Sequence, residues 1–451
     1  MADTPDAFRT SDVARGILAN EPEDLISRAA RSTIQRMRIC FLTAATLALF
    51  TCLPCSAADS ADTRALPTWN DLPSIHMKGR LRAFWNVGGR DREANELAAA
   101  DHGLESVALL NTYSDYPGRQ KEKIVPAGSN PWDKPPFFER IVRRNIDATT
   151  PKAIFVHDVE FHFEEDTDAL WTNPVIRAAS HATSPRAFRD AYYREWASWF
   201  ALPCQWAKEK YPDTPVGIYG PQPFRRDYWG VAGKEARQID GTHKTDAELW
   251  QHIAPAVDFC VASIYCFYDD PGSVYYMGAN VEENVQRMRA CSDKPVYAYL
   301  WLRYHDSNAK LKDQEVADYL AEAMAVLPYF CGARATVLWG WEPKGQGPYY
   351  RTLPVFMRSL TRVAGLSEEI ARATPLNDAP IHAAWKAKAP LIRKLRISGS
   401  DWLVLATHPW QADTAATNVI ARCGTLDVPL AIRGKHTEIY RVTNGHAAHI
   451  D

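Results

Sequence analysis

Two carboxylates separated by one residue are the most chemically suggestive feature of the chain: Asp158 and Glu160, in the line Ala153-Ile-Phe-Val-His-Asp-Val-Glu-Phe-His-Phe-Glu164. Alternate residues of a strand share a face, so Ile154, Val156, Asp158, Glu160 and His162 point one way. Phe155, His157, Val159 and Phe161 point the other. Two strand rises put the Asp158 and Glu160 Cα atoms about 6.6 Å apart. Carboxylates this close cannot both ionise freely, so one pKa rises. A raised carboxyl is the general acid that glycosidic-bond cleavage needs at neutral pH. Acids at strand ends also cap helices or pair with arginine, and that bland role stands beside the chemical one. Asp158, Glu160 and His162 on one face also suggest a metal, but no HExxH or paired CxxC spacing accompanies them, and neither a metal nor a cofactor is expected.

Other apolar runs end in groups that suit a carbohydrate. Tyr219 closes Gly217-Ile-Tyr, Tyr265 closes Val261-Ala-Ser-Ile-Tyr, and Trp301 closes Val296-Tyr-Ala-Tyr-Leu-Trp. Trp339-Gly-Trp341-Glu342 closes the last run. One such Tyr or Trp is usually core. Repeated on several strands, they supply hydroxyls to steady developing charge and flat faces for sugar rings. The 50 aromatics in 451 residues include 15 Trp, many near the ends of expected strands rather than in helix cores.

The elements that must hold these groups alternate. Strand-like runs at 81–86, 106–111, 153–160, 216–219, 259–265, 296–301 and 335–341 are followed by helix-like stretches that include 91–102, 186–210, 281–291, 313–328 and 352–364. This alternation implies parallel βαβ units. Seven strands are visible and 112–150 leaves room for an eighth, so a (β/α)8 barrel, TIM-like in regular or distorted form, is expected over 70–375. An open doubly wound sheet would need a Gly-rich nucleotide turn, and none is present. In a parallel barrel the strand C-termini face the active-site mouth. Short β-type runs at 395–398, 402–407, 418–421, 428–432 and 436–442 predict a small all-β, sandwich-like domain over 390–451. Its default role is structural, with sugar contact through Trp402 or Trp410 as the alternative.

The N-terminus reads as an address. Residues 1–36 are polar and read as a non-native or disordered extension ahead of a start at Met37. An apolar run from Ile39 to Leu53 and the small residues after Pro54 make 37–57 a secretory signal peptide, with a membrane anchor as the alternative. An exported protein, periplasmic or secreted, is expected. Six cysteines follow the leader: Cys204, Cys260, Cys266, Cys291, Cys331 and Cys423. Cys291 and Cys331 could meet at one end of neighbouring strands, or all six remain free thiols. With 52 basic against 54 acidic residues the net charge is -2, which argues against a basic nucleic-acid or polybasic membrane surface.

The order Asp158-Val-Glu160, Ser263-Ile-Tyr265, Lys294-Pro-Val-Tyr-Ala-Tyr299 and Val337-Leu-Trp-Gly-Trp-Glu342 resembles the hyaluronidase-type glycoside hydrolases over roughly 150–345. The resemblance implies a distorted barrel cutting a polymer that contains 2-acetamido sugars. Glu160 would be the general acid/base, and Asp158 would orient the acetamido group, whose carbonyl oxygen acts as nucleophile. Tyr265 would hydrogen-bond that group, and Trp339 or Trp341 would line its pocket. Val159 stands where the family carries Trp, the stretch after Glu160 does not match, and the cysteine spacing differs, so the family's substrate does not follow from the motifs. Two other readings remain: a retaining glycosidase with Glu342 as covalent nucleophile, and a carbohydrate-binding barrel without catalysis. Neither sugar, linkage nor oligomeric state is written in the sequence.

Overall fold

A computed structural model of the chain describes residues 65–112, 130–160, 166–225, 228, 236–342 and 350–451, with only the backbone given for 236–243. All lie in one compact unit, Arg64–Asp451. The expected leader, much of the 112–150 stretch and His162 lie outside the described residues.

Seven parallel strands close a barrel in sequence order: β1 (Arg82–Gly89), β2 (Glu105–Asn111), β3 (Ile154–Asp158), β4 (Val216–Tyr219), β5 (Phe259–Ser263), β6 (Val296–Leu300) and β7 (Ala335–Glu342). β7 returns to pair with β1 over eight residues, Arg82↔Ala335 through Gly89↔Glu342. β2 pairs directly with β3, Val107↔Ile154 through Asn111↔Asp158, so no eighth strand from 112–150 enters between them. The barrel is therefore a distorted relative of the eight-stranded form.

Helices wrap the outside. Pro185–Lys210 starts with the Ser184 hydroxyl accepting from the Ala187 amide at 3.3 Å and with Pro at its first turn, and it ends on Lys208 and Lys210, as the helix dipole favours. Its buried stripe of Phe188, Tyr192, Trp196, Trp199, Phe200 and Trp206 lies on the barrel. With Trp250, this puts four tryptophans into helix faces, which corrects the expectation that the indoles gather at strand ends. Gly272–Cys291 begins nine residues before its expected start. Residues Gly272 to Val281 are all buried, so its first turns show no polar face to reveal a helical period.

Past a short β8 (Thr374–Pro375), strands β9 (Leu391–Ser398), β10 (Asp401–Thr407), β13 (Thr437–Thr443) and β14 (His446–Ile450) form an antiparallel sheet in the order β14-β13-β10-β9-β8. One face, with Leu391, Leu395, Leu403, Leu405 and Ile439, joins the barrel's core. The other, with Trp402, Val404, Ala406 and Val442, lies under the hairpin β11 (Ala416–Cys423) and β12 (Leu426–Arg433). The period-2 alternation along β10 thus builds a sandwich layered on the barrel. Trp402 is core here, which removes it as a sugar contact, and half-buried Trp410 packs beside Tyr275 with the Lys388 ammonium over its ring. Arg441 grips Glu369 through two bonds of 2.6 and 2.7 Å, and Arg362 donates to the Thr437 carbonyl at 2.9 Å, tying sheet to helices. All six described cysteines are free thiols, Cys291 exposed and Cys331 buried.

Candidate active site

Parallel partners in register share a face, so the pairing fixes which side chains enter the barrel. Asn86 pairs with Trp339, Asn111 with Asp158, Asp158 with Tyr219, and Ser263 with Tyr299. These residues form the inward ring at the C-terminal ends of the strands. Beneath them the barrel is plugged: Phe259 stacks on Tyr297 at 4.3 Å between centroids, and Phe84 lies 5.7 Å from Tyr297. Gly217 admits Phe259, since a Cβ there would fall 2.2 Å from its ring. A filled floor leaves only the mouth open for chemistry. There a cleft of about 660 Å³ is lined by Asn86, Gly88, Asn111, Asp158, Trp339 and Trp341 among others, a volume suited to a small ligand or a few sugar units.

Asp158 is the last residue of β3, half-buried, and its buried Oδ1 has no hydrogen-bond partner among the described residues. Glu160 follows two residues on and is exposed. The chain between them is pinned by the Val159 amide donating to the Tyr219 carbonyl at 3.0 Å. β4 approaches so closely there that Gly220, at φ +113°, has no room for a side chain: a Cβ would lie 1.9 Å from the Val159 oxygen. Burial, and then the Glu160 charge, push the Asp158 carboxyl up to about 7. Desolvation of a residue still inside the barrel is the larger cause, and the like charge that the spacing brings close adds to it.

The hydroxyls around this couple stay protonated. Burial, with the charge of Glu160 next, raises Tyr219, whose hydroxyl lies 3.3 Å from Ser263 Oγ. Tyr265 is raised by burial and by Tyr219, and Tyr299 by burial despite the Asn86 amide donating to it at 3.3 Å. Behind Asp158, His157 is fully buried with Nδ1 2.7 Å from the Thr112 hydroxyl, and burial pushes it down to about 3. It is a neutral core group on the far face of β3, as the alternation requires.

The aromatic residues divide by depth. Trp339 stands in the inward ring, 5.6 Å from Tyr265 and edge-on to Trp301 at 4.9 Å and 81°. Trp301 itself is buried at 4% exposure and donates to the Tyr350 hydroxyl at 3.2 Å, so it supports Trp339 rather than forming the cleft floor. Trp341 is 58% exposed at the rim and leans over Gly88, where a Cβ would meet its ring at 2.4 Å. Glu342 falls on the opposite face of β7. It is buried against the Arg303 guanidinium at 3.1 Å, and burial raises its carboxyl, with the Arg303 charge opposing only part of the rise.

The structure therefore brings Asp158, Tyr219, Tyr265 and Trp339 together, sets Glu160 and Trp341 at the rim, and keeps Trp301 and Glu342 out of the ring. Asn86, Asn111, Ser263 and Tyr299 belong to the ring but were not singled out as ligand-facing from sequence. Among the described residues no group of three or more His, Cys, Asp or Glu side chains is placed to hold a metal, and no helix is long and apolar enough to cross a membrane.

A comparison with known proteins finds no matching family profile and no matching curated sequence. Among solved structures, the chain is similar to bee venom hyaluronidase at 16% identity and a TM-score of 0.42, over 65% of this chain and 100% of that one. The same enzyme with a hyaluronic acid tetramer gives 15% identity and a TM-score of 0.40, over 58% and 90%. A β-L-arabinopyranosidase from Geobacillus stearothermophilus, as its D197A variant with arabinose, gives 10% and 0.38, over 84% and 98%.

Proposed function

We propose that the chain is an exported glycoside hydrolase acting on a polysaccharide or oligosaccharide that contains 2-acetamido sugars. Glu160 is the general acid/base and Asp158 its assisting carboxylate. The observation that carries the reading is a carboxyl couple at the barrel mouth in which one member, Asp158, holds its proton close to neutral pH beside an exposed, charged partner. The couple carries one proton between its two members. With the cleft empty that proton sits on Asp158. When a sugar enters, its acetamido N–H gives Asp158 a donor, which favours the ionised form there and leaves the proton to Glu160. Glu160 then protonates the departing glycosidic oxygen. The acetamido carbonyl oxygen attacks the anomeric carbon from within the substrate, and water later opens the cyclic intermediate with Glu160 as base. Tyr219, Tyr265 and Tyr299 offer neutral hydroxyl donors, Trp339 backs the acetamido group, and Trp341 presents an open face to a neighbouring sugar.

The covalent alternative through Glu342 has less support, since that carboxylate faces away from the ring and is engaged by Arg303. The test is a panel of acetamido-containing glycans read for new reducing ends with the wild type and Glu160→Gln. The reading expects release by the wild type, none by the variant, and retained glycan binding in both. Equal turnover by Glu160→Gln would remove Glu160 from the mechanism, and binding without release by the wild type would make the protein a carbohydrate-binding barrel.

A further inference from the structure

The opposite, N-terminal face of the barrel holds a second cleft, of about 310 Å³, at the starts of β1, β6 and β7. Three arginines from separate elements line it: Arg80 in the turn before β1, Arg289 in the last turn of Gly272–Cys291, and Arg334 just ahead of β7. Among the described residues none of the three has a carboxylate within ion-pair distance. Arg334 is half-buried, and its guanidinium donates to the Ala371 carbonyl at 3.1 Å. Lys294 adds a fourth cation, with its ammonium held by the Ala254 carbonyl at 2.7 Å and by that of Val257. Only exposed Asp293 opposes them in the lining. The mutual repulsion is felt in the cleft: burial, then the charges of Arg289 and Arg334's other neighbour Arg80, depress the Arg334 pKa.

Surface arginines usually pair with carboxylates or spread apart. Here three guanidinium groups converge on one hollow with hydrogen-bond donors to spare, and a guanidinium fork matches a tetrahedral oxyanion in charge and geometry. We propose that this cleft binds a sulfate or phosphate group through Arg80, Arg289 and Arg334. Such a group comes either as the free inorganic ion or as an ester on a larger molecule, such as a sulfated glycan. The site is separate from the mouth, so its occupancy does not depend on the reading of Asp158 and Glu160.

The test is calorimetric titration of the full chain with inorganic phosphate and with sulfate, at ionic strength matched by chloride, for the wild type and for Arg80→Ala/Arg289→Ala. Both arginines are exposed, so the double variant keeps the fold, and its unfolding temperature in chloride checks this. The proposal expects saturable binding by the wild type and a loss of roughly tenfold or more in the variant, as for removal of charge-assisted hydrogen bonds. Hydrolysis at the mouth should be unchanged. A sulfated oligosaccharide that binds and is displaced by phosphate identifies an ester ligand, and phosphate binding without it identifies the free ion. Equal binding by both proteins, or no binding beyond matched chloride, overturns the proposal.

Discussion

Replacing Asp158 by Asn tests the electrostatics of the couple without touching its shape. Burial pushes the folded carboxyl up to about 7 from its ordinary 3.8, so between these pH values the native state holds a proton that the unfolded chain has released. Stability must then fall as pH rises through this window. The contribution is whole below about pH 4 and gone above about pH 7, where the ionised group is desolvated at the end of β3. A shift of this size corresponds to roughly 4 kcal/mol at full burial, and about 2 kcal/mol if residual solvation of the half-buried group halves it. Asparagine has the same size and no charge, so any fixed cost of its amide cancels in the slope. Thermal unfolding of wild type and Asp158→Asn from pH 4 to 8 is the assay. The variant should gain on the wild type as pH rises, reaching an advantage of about 2–4 kcal/mol, or a few degrees for a unit of this size, near pH 8. Parallel curves across the window would show that Asp158 is ionised throughout, and the shared-proton argument would fall.

Three further outcomes follow from the geometry. Glu342→Gln should cost roughly 1–3 kcal/mol of stability by removing the nearer carboxylate of Arg303, which among the described residues keeps only Asp313 at 3.7 Å, measured by denaturant unfolding, yet leave the hydrolysis rate within a few-fold of wild type; a fall of about a thousandfold or more would make Glu342 the nucleophile. Gly88→Ala forces a methyl into the Trp341 ring, so KM should rise about three- to tenfold with kcat held, as expected for one lost stacking face; unchanged steady-state kinetics would deny Trp341 a substrate role. N-terminal sequencing of the exported protein should find a start close to Ala57 or Ala58, whereas a product beginning at Met1 or Met37 would contradict cleavage of the leader.

The fold was legible wherever a strand kept its alternation. From Ile154 to Asp158 the period alone separates the inward face from Phe155 and His157, and the stretch 186–210 falls within one residue of the helix Pro185–Lys210. Rules of this kind failed where burial is complete, as at Gly272–Val281, or where nothing is buried, as at edge strand β14, whose first four residues are exposed. The site was legible in part for a similar reason. Asp158, Tyr219 and Trp339 announce themselves at strand ends. Asn86, Asn111 and Tyr299 look like ordinary strand residues until the pairing of β1 with β7, β2 with β3, and β5 with β6 turns them inward. How differently the two acids are buried was hidden as well. It depends on whether the strand ends before or after Glu160, and the closing turn at Gly220 ends it at Asp158. The opposite orientation of Glu342 was already implied by its odd spacing from Trp339.

The pH profile of kcat/KM on a cleavable acetamido glycan tests the shared proton most directly, because it reports the ionisations of the free enzyme. A couple that must hold one proton predicts an alkaline limb near pH 7 in the wild type, and its displacement in Asp158→Asn. Activity that stays level from pH 6 to 8, or a limb that Asp158→Asn leaves in place, would contradict the account.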